Sequence, residues 1–369
     1  MKEGWTYKTL GEVATIIGGS TPKSNIEEYW GGSHYWVTPA DLKGNKYQGA
    51  TPRTITDLAI QKTNLQLLPK GTVLLSSRAP IGKVAITTVP MYCNQGFKNI
   101  VCSEQLLNEF VYWYLLNKTD YLNSLGRGAT FKEISKKATE QIPIPVPPLS
   151  EQQRIVSELD LLSSIIEKKK AQLKEYDQLA QSIFYDMFGD PVTNEKGWEV
   201  KKLVDCCKNC DSQRKPITAK DRIKGAIPYY GASGVVDYVK DYIFDGEYLL
   251  ISEDGANLII RSTPIAFRIK GKTWVNNHAH VLQFDALFKQ IFVEYSINLR
   301  DISSIVTGCA QPKLTQAAMN NINIPYPPLS LQQQFTEKIE AIEKQKALIQ
   351  QSIAEAETLF NSRMDYYFN

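Results

Sequence analysis

Apolar side chains recur at alternating steps of four and three residues along two stretches of the chain, 150–189 and 330–369. The first seam consists of Ile155, Leu159, Leu162, Ile166, Leu173, Tyr176, Ala180, Ile183 and Met187, with a break at Lys169. The second consists of Phe335, Ile339, Ile342, Ile349, Ile353, Ala356, Phe360 and Tyr367, with breaks at Lys346 and Arg363. Because heptad spacing is typical of helices that pair, it predicts two long helices packed on each other. The alternative is that each seam packs only on the globular domain beside it.

Each predicted helix follows a proline-rich segment, IPIPVPPLSEQQ at 142–153 and INIPYPPLSLQQ at 322–333. Prolines lack a backbone donor and favour an extended backbone, so the helix must begin after them. Ser150 and Ser330 stand where an N-cap is expected, and Gln153 and Gln333 would complete a capping box in both copies. Gly189 is the predicted end of the first helix.

The two proline-rich segments are copies of one repeat, since an offset of 180 residues aligns them and nine of the twelve positions are identical. Weaker similarity continues upstream, where GWTYKTLGEV (4–13) resembles GWEVKKLVDC (197–206) and GTVLLSSR (71–78) resembles GEYLLISE (246–253). The repeat predicts an α+β chain with two related mixed α/β domains, 1–149 and 190–329, followed by helices at 150–189 and 330–369. If a two-fold axis relates the copies, the helices form an antiparallel coiled coil.

The charge of the chain is unevenly distributed. The formal net charge is +3, but each predicted helix carries −2, which leaves +7 on the rest. A basic balance outside the helices is compatible with a polyanionic partner. The chain contains no long apolar run and no signal-peptide pattern, so we expect a cytoplasmic protein without membrane contact. Six cysteines in a chain of 369 residues do not indicate a disulfide framework.

Motifs for catalysis are missing from the sequence. There is no glycine motif with an Asn/Asp-Pro-Pro-aromatic partner, which an amino-methyltransferase needs, and no Gly-x4-Gly-Lys-Ser/Thr phosphate loop. CCKNC at 206–210 holds one Cys-x2-Cys pair without a second, so buried or unpaired thiols are favoured over a zinc site. His278 and His280 could be ligands together, but alternate positions on a strand favour a polar face. We therefore expect no metal.

The layout resembles the DNA-specificity subunits of type I restriction-modification systems. The stretches that carry the resemblance are GGSTPKSNIEEYWGGSHYWVTPADL (18–42), IPIPVPPLSEQQRIVSELD (142–160), IPYYGASGVVDYV (227–239), ISEDGAN (251–257) and GCAQPKLTQAAMNNINIPYPPLSLQQQ (308–334). The resemblance implies a subunit that is not itself an enzyme, binds no cofactor and reads a bipartite double-stranded DNA target. Its implied partners are two methyltransferase (modification) subunits and, in the full complex, restriction subunits.

Two other functions remain open at this point. The domains could belong to an interaction scaffold that binds something other than DNA, such as a silent or truncated relative. A monomeric enzyme is the third possibility.

Base contacts need side chains such as Arg or Lys for guanine and Asn or Gln for adenine, carried on loops that reach a groove. Comparing the two domains locates such loops: LLSSRAPIGK (74–83) aligns with LLISEDGAN (249–257) and sets Arg78 against Glu253, while amides at 94 and 95 align with those at 276 and 277. The predicted DNA-binding residues are Thr21, Lys23, Ser77, Arg78, Lys83, Asn94, Gln95, Tyr229, Tyr230, Ser233, Glu253, Asp254, Asn257, Asn276, Asn277 and His278. A charge reversal on a shared turn is what unlike base preferences would produce. The alternative is a solvated turn with arbitrary charges, and Asn in a turn often bonds to its own backbone.

Overall fold

A computed structural model describes residues 4–78, 80–128, 132–308 and 310–369 of the chain. The chain divides into two compact units, Met1–Lys169 with Ser352–Asn369, and Lys170–Gln351. We refer to them as unit 1 and unit 2. Each of the two long helices contributes one part to each unit.

Unit 1 contains short strands and helices. Its strands are β1 (Thr6–Thr9), β2 (Ala14–Gly18), β3 (Trp30–Val37), β4 (Tyr47–Gln48), β5 (Thr54–Ile55), β6 (Val73–Leu75), β7 (Val84–Thr87), β8 (Tyr92–Cys93), β9 (Lys98–Cys102) and β10 (Pro143–Val146). Its helices are α1 (Leu10–Val13), α2 (Asp57–Thr63), α3 (Asn108–Asn117), α4 (Thr119–Leu125), α5 (Lys136–Glu140) and the first part of α6 (Leu149–Phe188).

The strands of unit 1 form a five-stranded sheet in the order β2-β9-β6-β7-β4, a three-stranded sheet in the order β5-β3-β8, and the pair β1-β10. β6, β7 and β9 are rich in buried Val, Ile and Leu, and α3 packs its apolar residues against them. The proline-rich strand β10 pairs antiparallel with β1 from Thr9↔Pro143 to Thr6↔Val146. A two-stranded ribbon tolerates prolines because one edge needs no donors. The predicted extended approach to the helix is confirmed.

Unit 2 has longer strands. They are β11 (Val200–Lys202), β12 (Lys208–Asn209), β13 (Lys224–Gly231), β14 (Gly234–Val239), β15 (Phe244–Ser252), β16 (Ala266–Val275), β17 (Ala279–Gln283) and β18 (Asn323–Pro325). The helices are α7 (Leu203–Cys206), α8 (Asn257–Ile260), α9 (Leu287–Asn298), α10 (Gln316–Asn320) and the first part of α11 (Leu329–Phe368). Six strands form one sheet in the order β12-β17-β15-β16-β13-β14, and β11 pairs with β18 as β1 does with β10.

The two long helices run antiparallel, as contacts within each unit show. In unit 1 the start of α6 meets the end of α11, where Tyr367 Oη donates to Glu158 Oε2 at 2.6 Å and Arg363 pairs with Glu158 at 2.8 Å. In unit 2 the end of α6 meets the start of α11, where the rings of Phe184 and Phe335 lie 5.6 Å apart. The predicted fold class, two related α/β domains with an antiparallel helix pair, is confirmed.

The predicted pairing residues are at least half-buried along both helices. Ile155, Leu159, Phe335 and Ile339 are fully buried, Ile166, Ile342, Ile349 and Ile353 are buried, and Leu162, Leu173, Ile183 and Phe360 are half-buried. Many of them also belong to the core of their own unit, next to sheet and short-helix residues. The seams therefore pack on the partner helix and on the domain together, and Phe184 and Phe188, outside the predicted seam, are part of the same core.

The predicted capping boxes are wrong. The helices begin at Leu149 and Leu329, so Ser150 lies inside the first turn of α6 and Ser330 inside that of α11. The polar side chain that organises the first turn of α6 is Gln152, fully buried, which donates to the carbonyl of Pro147 at 2.9 Å. The predicted end is confirmed, because α6 stops at Phe188 and Gly189 follows with φ +78°.

Among the described residues, no helix is both long enough and apolar enough to cross a lipid bilayer.

Candidate nucleic-acid interface

In unit 1, three elements meet at the turn that follows β6. The backbone nitrogen of Ile134 donates to the carbonyl of Ser77 at 2.9 Å, and that of Ser77 donates to the carbonyl of Gly96 at 2.8 Å. Arg127 and Glu133 exchange two backbone hydrogen bonds of 3.0 and 2.9 Å. We refer to the described residues of this paired segment, 127, 128, 132 and 133, as the hairpin of unit 1. We call this meeting point of turn, β9 and hairpin junction 1.

Unit 2 builds the same frame at the turn that follows β15. The backbone nitrogen of Leu314 donates to the carbonyl of Glu253 at 2.7 Å, and that of Glu253 donates to the carbonyl of His278 at 2.9 Å. Thr307 and Lys313 exchange backbone hydrogen bonds of 2.9 and 2.7 Å, and we refer to the described residues 307, 308 and 310–313 as the hairpin of unit 2. This is junction 2, and its hairpin lies 180 residues after that of junction 1.

The shared frame corrects the sequence alignment of the turns by one residue. Ser77 and Glu253 make the same backbone contacts, and Arg78 and Asp254 each form a bridge to the hairpin, with Glu133 and Lys313 respectively. The counterpart of Arg78 is therefore Asp254 and not Glu253. The slip arose because LLSSR and LLISE match best with β15 displaced by one residue, and only the backbone pairing fixes the register.

A carboxylate with two cations holds junction 1. Glu133 accepts a hydrogen bond from Arg78 Nε at 2.9 Å and one from Lys98 Nζ at 2.9 Å. Lys98 is largely buried, with 12% of its side chain exposed, whereas Arg78 is 43% exposed. Partial burial raises the pKa of Glu133, but the hydrogen bonds and charges of Lys98 and Arg78 outweigh it, so that the pKa lies below its ordinary value.

Junction 2 is also centred on a carboxylate, but here the carboxylate belongs to the turn and not to the hairpin. Glu253 pairs with Arg214 at 2.6 Å and with Lys313 of the hairpin at 3.1 Å. Behind it, His280 lies fully buried between Asp211 Oδ2 at 2.6 Å and the carbonyl of Leu314 at 2.9 Å. Burial raises the pKa of Glu253, and the contacts with Arg214, His280 and Lys313 reverse this effect, so that the pKa is lowered overall.

Around junction 1 the predicted DNA-binding residues differ in exposure. Thr21, Lys23 and Gln95 are exposed, and Thr21 donates a hydrogen bond to Gln95. The glycine-rich segment before them packs on the 93–96 turn, where a Cβ at Gly19 would lie 2.0 Å from the carbonyl oxygen of Asn94.

Three other predicted residues of unit 1 are engaged inside it. Ser77 is buried, Lys83 Nζ donates to the carbonyls of Pro39 and Leu42 at 3.0 and 3.1 Å, and Asn94 Oδ1 accepts from the amide of Gly96 at 2.9 Å. Their side chains serve the loop structure.

Around junction 2, four predicted residues likewise serve the fold. Tyr229 is buried, and its hydroxyl accepts from the amide of Ile217 at 3.0 Å. Asn257 Oδ1 accepts from the amide of Thr263 at 3.1 Å, and the buried Asn276 Oδ1 from that of His278 at 2.8 Å. Tyr230 is half-buried beside the ring of Phe267.

The remaining predicted residues of unit 2 are more accessible. Ser233 and Asn277 are exposed. His278, with 46% of its side chain exposed, places Nδ1 2.8 Å from Asp254 Oδ2. Asp254 is itself only 14% exposed, so it fixes the orientation of an accessible imidazole.

The cysteines in the described part of the chain, Cys93, Cys102, Cys206, Cys207 and Cys210, are free thiols. Burial raises the pKa of Cys207 to about 12 and that of Cys206 to about 11. Within the described part of the chain, no group of three His, Cys, Asp or Glu side chains is arranged to hold a metal ion. Cys309 lies outside the described residues.

Comparison with known proteins identifies the family. The model of the type I restriction modification DNA specificity domain matches the chain twice, over residues 2–175 and 195–358. The chain belongs to the type I restriction-modification DNA specificity family.

Relatives of this family align over most of their length. The type I restriction enzyme MjaIX specificity subunit of Methanocaldococcus jannaschii is 31% identical, covering 90% of this chain and 85% of the relative. The EcoprrI specificity subunit of Escherichia coli is 24% identical, and the alignment covers 88% of this chain and 84% of the relative.

Two solved structures share the fold of the specificity family. A chain from a study of complex assembly and conformational transition of the type I restriction-modification system superposes with a TM-score of 0.62, at 18% identity, covering 100% of this chain and 98% of that one. The S subunit from M. genitalium superposes with a TM-score of 0.59 at 14% identity, and the superposition covers 98% of this chain and 95% of that one.

The sequence of this member of the specificity family did not point to four charged residues of the junctions, namely Lys98, Glu133, Arg214 and Lys313. A signal for two of them was present, because the offset of 180 that aligns the proline segments also sets Glu133 against Lys313. Arg214 lies outside the sequence segments that align between the two domains, so the sequence offers no such signal for it.

Proposed function

We propose that this chain is the non-catalytic, sequence-specific DNA-reading subunit of a type I restriction-modification complex. Each unit reads one half of a bipartite, asymmetric double-stranded DNA target. Two methyltransferase subunits, and restriction subunits in the full complex, are positioned on the DNA by this chain and supply methyl transfer and cleavage. Family membership and the lack of methyltransferase and phosphate-loop motifs in the sequence support this division of labour.

The observation that carries the proposal is the common frame of junctions 1 and 2 with unlike side chains on it. Equivalent backbone hydrogen bonds hold turn, strand and hairpin in both units. The accessible side chains on this frame differ: Gln95 and Arg127 in unit 1 correspond to Asn277 and Thr307 in unit 2. Because hydrogen-bonding side chains read base edges, two such surfaces would select two different half-sites.

The surfaces that we assign to DNA are made of exposed residues near the junctions. In unit 1 they are Thr21, Lys23, Gln95, Arg127 and Lys132, and in unit 2 they are Ser233, Asn277, His278 and Thr307. Lysine and arginine contacts to phosphate would give sequence-independent affinity, and the amide and imidazole groups would carry selectivity. The net charge of +7 outside the 150–189 and 330–369 segments favours such phosphate contacts.

The test uses the complex of this chain with its methyltransferase subunits. Methylome sequencing of cells that express it should yield one split motif, modified on both strands. Binding is then measured, at fixed salt, to duplexes in which either half of that motif is randomised. We expect loss of selective binding in both cases and a steep fall of affinity with salt for every duplex.

Two results would contradict the proposal. A motif with two identical inverted halves would exclude unlike half-sites. A folded complex that methylates no defined motif and binds all duplexes alike would favour the scaffold alternative, in which the domains bind a partner other than DNA.

A further inference from the structure

Junctions 1 and 2 contain the same attraction with the charges placed the other way round. In junction 1 the acid is on the hairpin, Glu133, and a cation is on the turn, Arg78, at 2.9 Å. In junction 2 the cation is on the hairpin, Lys313, and the acid is on the turn, Glu253, at 3.1 Å. Glu133 and Lys313 are equivalent by the 180-residue offset, so the sign at this hairpin position is inverted between the units.

A second basic side chain occupies equivalent places in both junctions. Lys98, the first residue of β9, pairs with Glu133 at 2.9 Å. Its counterpart in β17 is His280, because Val73 of β6 faces Ile100 while Leu249 of β15 faces Leu282. His280 lies 3.7 Å from Glu253. Turn, strand and hairpin thus each contribute to one carboxylate-centred cluster in either unit.

The inverted signs have a simple physical consequence. If these charged side chains contacted DNA directly, the charge of the turn residue could change sign without any change in the charge of the hairpin residue. Instead, the charge on each turn is matched by an opposite charge on its hairpin, and each pair is at hydrogen-bond distance. An ion pair of this kind fixes geometry through directed hydrogen bonds and is indifferent to which partner is the acid.

We propose that these clusters are interchangeable clamps that position the two hairpins for DNA, and that Arg78, Glu133, Glu253 and Lys313 do not themselves read bases. The inference rests on the proposed function, since the clamped hairpins carry exposed residues that we assign to DNA. These residues are Arg127 and Lys132 in the hairpin of unit 1 and Thr307 in that of unit 2. The clamp residues are therefore positioning residues.

Junction 1 is the better place for the test, because Arg78 and Glu133 are 43% and 33% exposed and tolerate substitution more readily than the buried cluster of junction 2. Glu133→Lys places a positive charge on the hairpin next to Arg78 of the turn and Lys98 of β9, so that the three side chains repel one another. The double variant Arg78→Glu with Glu133→Lys restores an attraction between turn and hairpin with the signs found in unit 2, where the acid Glu253 stands one turn position earlier, at the counterpart of Ser77. Glu104→Lys, at an exposed site of the same unit, is the control for an equal change of net charge.

Each variant is assembled with the methyltransferase subunits, and binding is compared between the target duplex and duplexes altered in one half-site. Glu133→Lys should lose discrimination by about tenfold at one half-site only, the one read by unit 1. The double variant should return to within about twofold of the parent. Glu104→Lys should discriminate like the parent.

Far-UV circular dichroism and thermal unfolding accompany each binding measurement. If Glu133→Lys does not fold, Glu133→Gln takes its place, with a smaller loss expected at the same half-site. A folded single variant that discriminates as the parent does would overturn the clamp. A folded double variant without rescue would also overturn it, because one of the two residues would then contact DNA directly. A parent complex without half-site discrimination would instead refute the proposed function.

Discussion

The side-chain oxygen of Gln152 lies 2.8 Å from the backbone nitrogen of Leu107, from which it accepts a hydrogen bond. The amide nitrogen of the same side chain donates to the carbonyls of Gln105 and Pro147 at 2.8 and 2.9 Å. Gln152 is fully buried, so these contacts replace water for three backbone groups. One glutamine therefore joins the start of α6, the proline segment and the segment before α3.

We predict that Gln152→Leu destabilises unit 1 far more than Gln332→Leu destabilises unit 2. The first substitution leaves one amide and two carbonyls unpaired, at a cost of about 2–4 kcal/mol. Gln332, its counterpart in α11, donates to the carbonyl of Pro327 at 2.9 Å, but its buried oxygen has no partner among the described residues. Its replacement should cost about 1 kcal/mol.

Urea unfolding with hydrogen exchange on peptides of each unit measures both effects. Equal losses in the two variants would show that the contacts with Leu107 and Gln105 add nothing to the stability of unit 1.

The sequence alone predicts the helix pair correctly, but it does not predict how the first turn of α6 is held. A heptad seam is a local, periodic property, so Ile155 and Phe335 could be assigned to a packed face. The role of Gln152 depends on Leu107, which is 45 residues away, and no local pattern distinguishes Gln152 from its neighbour Gln153. Phe184 and Phe188 were missed because the helices bury a second stripe against the domain, which a two-stranded seam does not include.

A second prediction concerns the buried pair of Asp211 and His280. Asp211 accepts from His280 Nδ1 at 2.6 Å and from the backbone nitrogen of Val281 at 2.8 Å. Asp211→Ala should cost about 3 kcal/mol or more of unfolding free energy, since it strands buried donors. Glu247→Ala is the control, because its partner Lys270 is 82% exposed, and we expect almost no loss of stability there. Comparable losses in urea unfolding would contradict the assignment.

A third prediction is a pH dependence of unit 2 that comes from Glu294. Burial raises the pKa of Glu294 to about 7 from 4.5; Arg268, 2.6 Å away, opposes the rise, and Glu343 adds to it. The folded state thus favours the protonated acid. The stabilisation is fully present below pH 4.5 and is lost as the pH rises through about 7.

Glu294→Gln should remove this dependence. Between pH 5 and pH 8 the free energy of unfolding of the parent should fall by about 1–3 kcal/mol relative to the variant. Equilibrium unfolding in urea at several pH values measures the difference. A constant difference between parent and variant across this range would exclude Glu294 as the titrating group.

A fourth prediction concerns the exposed imidazole of His278. If His278 reads a base at the half-site of unit 2, His278→Ala should cost about 1–3 kcal/mol of binding to the target duplex and relax one base position. Asp254→Asn should produce a smaller loss, because the imidazole keeps its place but loses the carboxylate that orients it at 2.8 Å. Duplexes varied at each position of the motif provide the measurement.

His34→Ala is the matched control for His278. His34 also pairs with an aspartate, Asp57, at 2.8 Å, but it belongs to unit 1. We expect its loss to leave the half-site of unit 2 unchanged. A uniform weakening by His278→Ala at all duplexes would indicate a phosphate contact in place of base reading.

The charges of the junctions show where single-sequence reasoning reaches its limit. The opposite signs of Arg78 and Glu253 were visible, and unlike base preferences were one interpretation. The partners Glu133 and Lys313 lie 55 and 60 residues further along the chain, and only the fold brings them to the turns. Which exposed side chains touch bases depends on the DNA itself and is a property of the complex.

The last prediction concerns the length of α6 and α11. Each helix has 40 residues and passes from one unit into the other. Seven residues inserted after Lys169, with seven more after Gln351, preserve the heptad register and lengthen each helix by about 10 Å. We expect the unspecified gap in the methylated motif to grow by about three base pairs, at about 3.4 Å each, while both half-sites stay the same. Methylome sequencing detects either change, and an altered half-site would mean that the helices contribute to base reading and do not simply set the spacing.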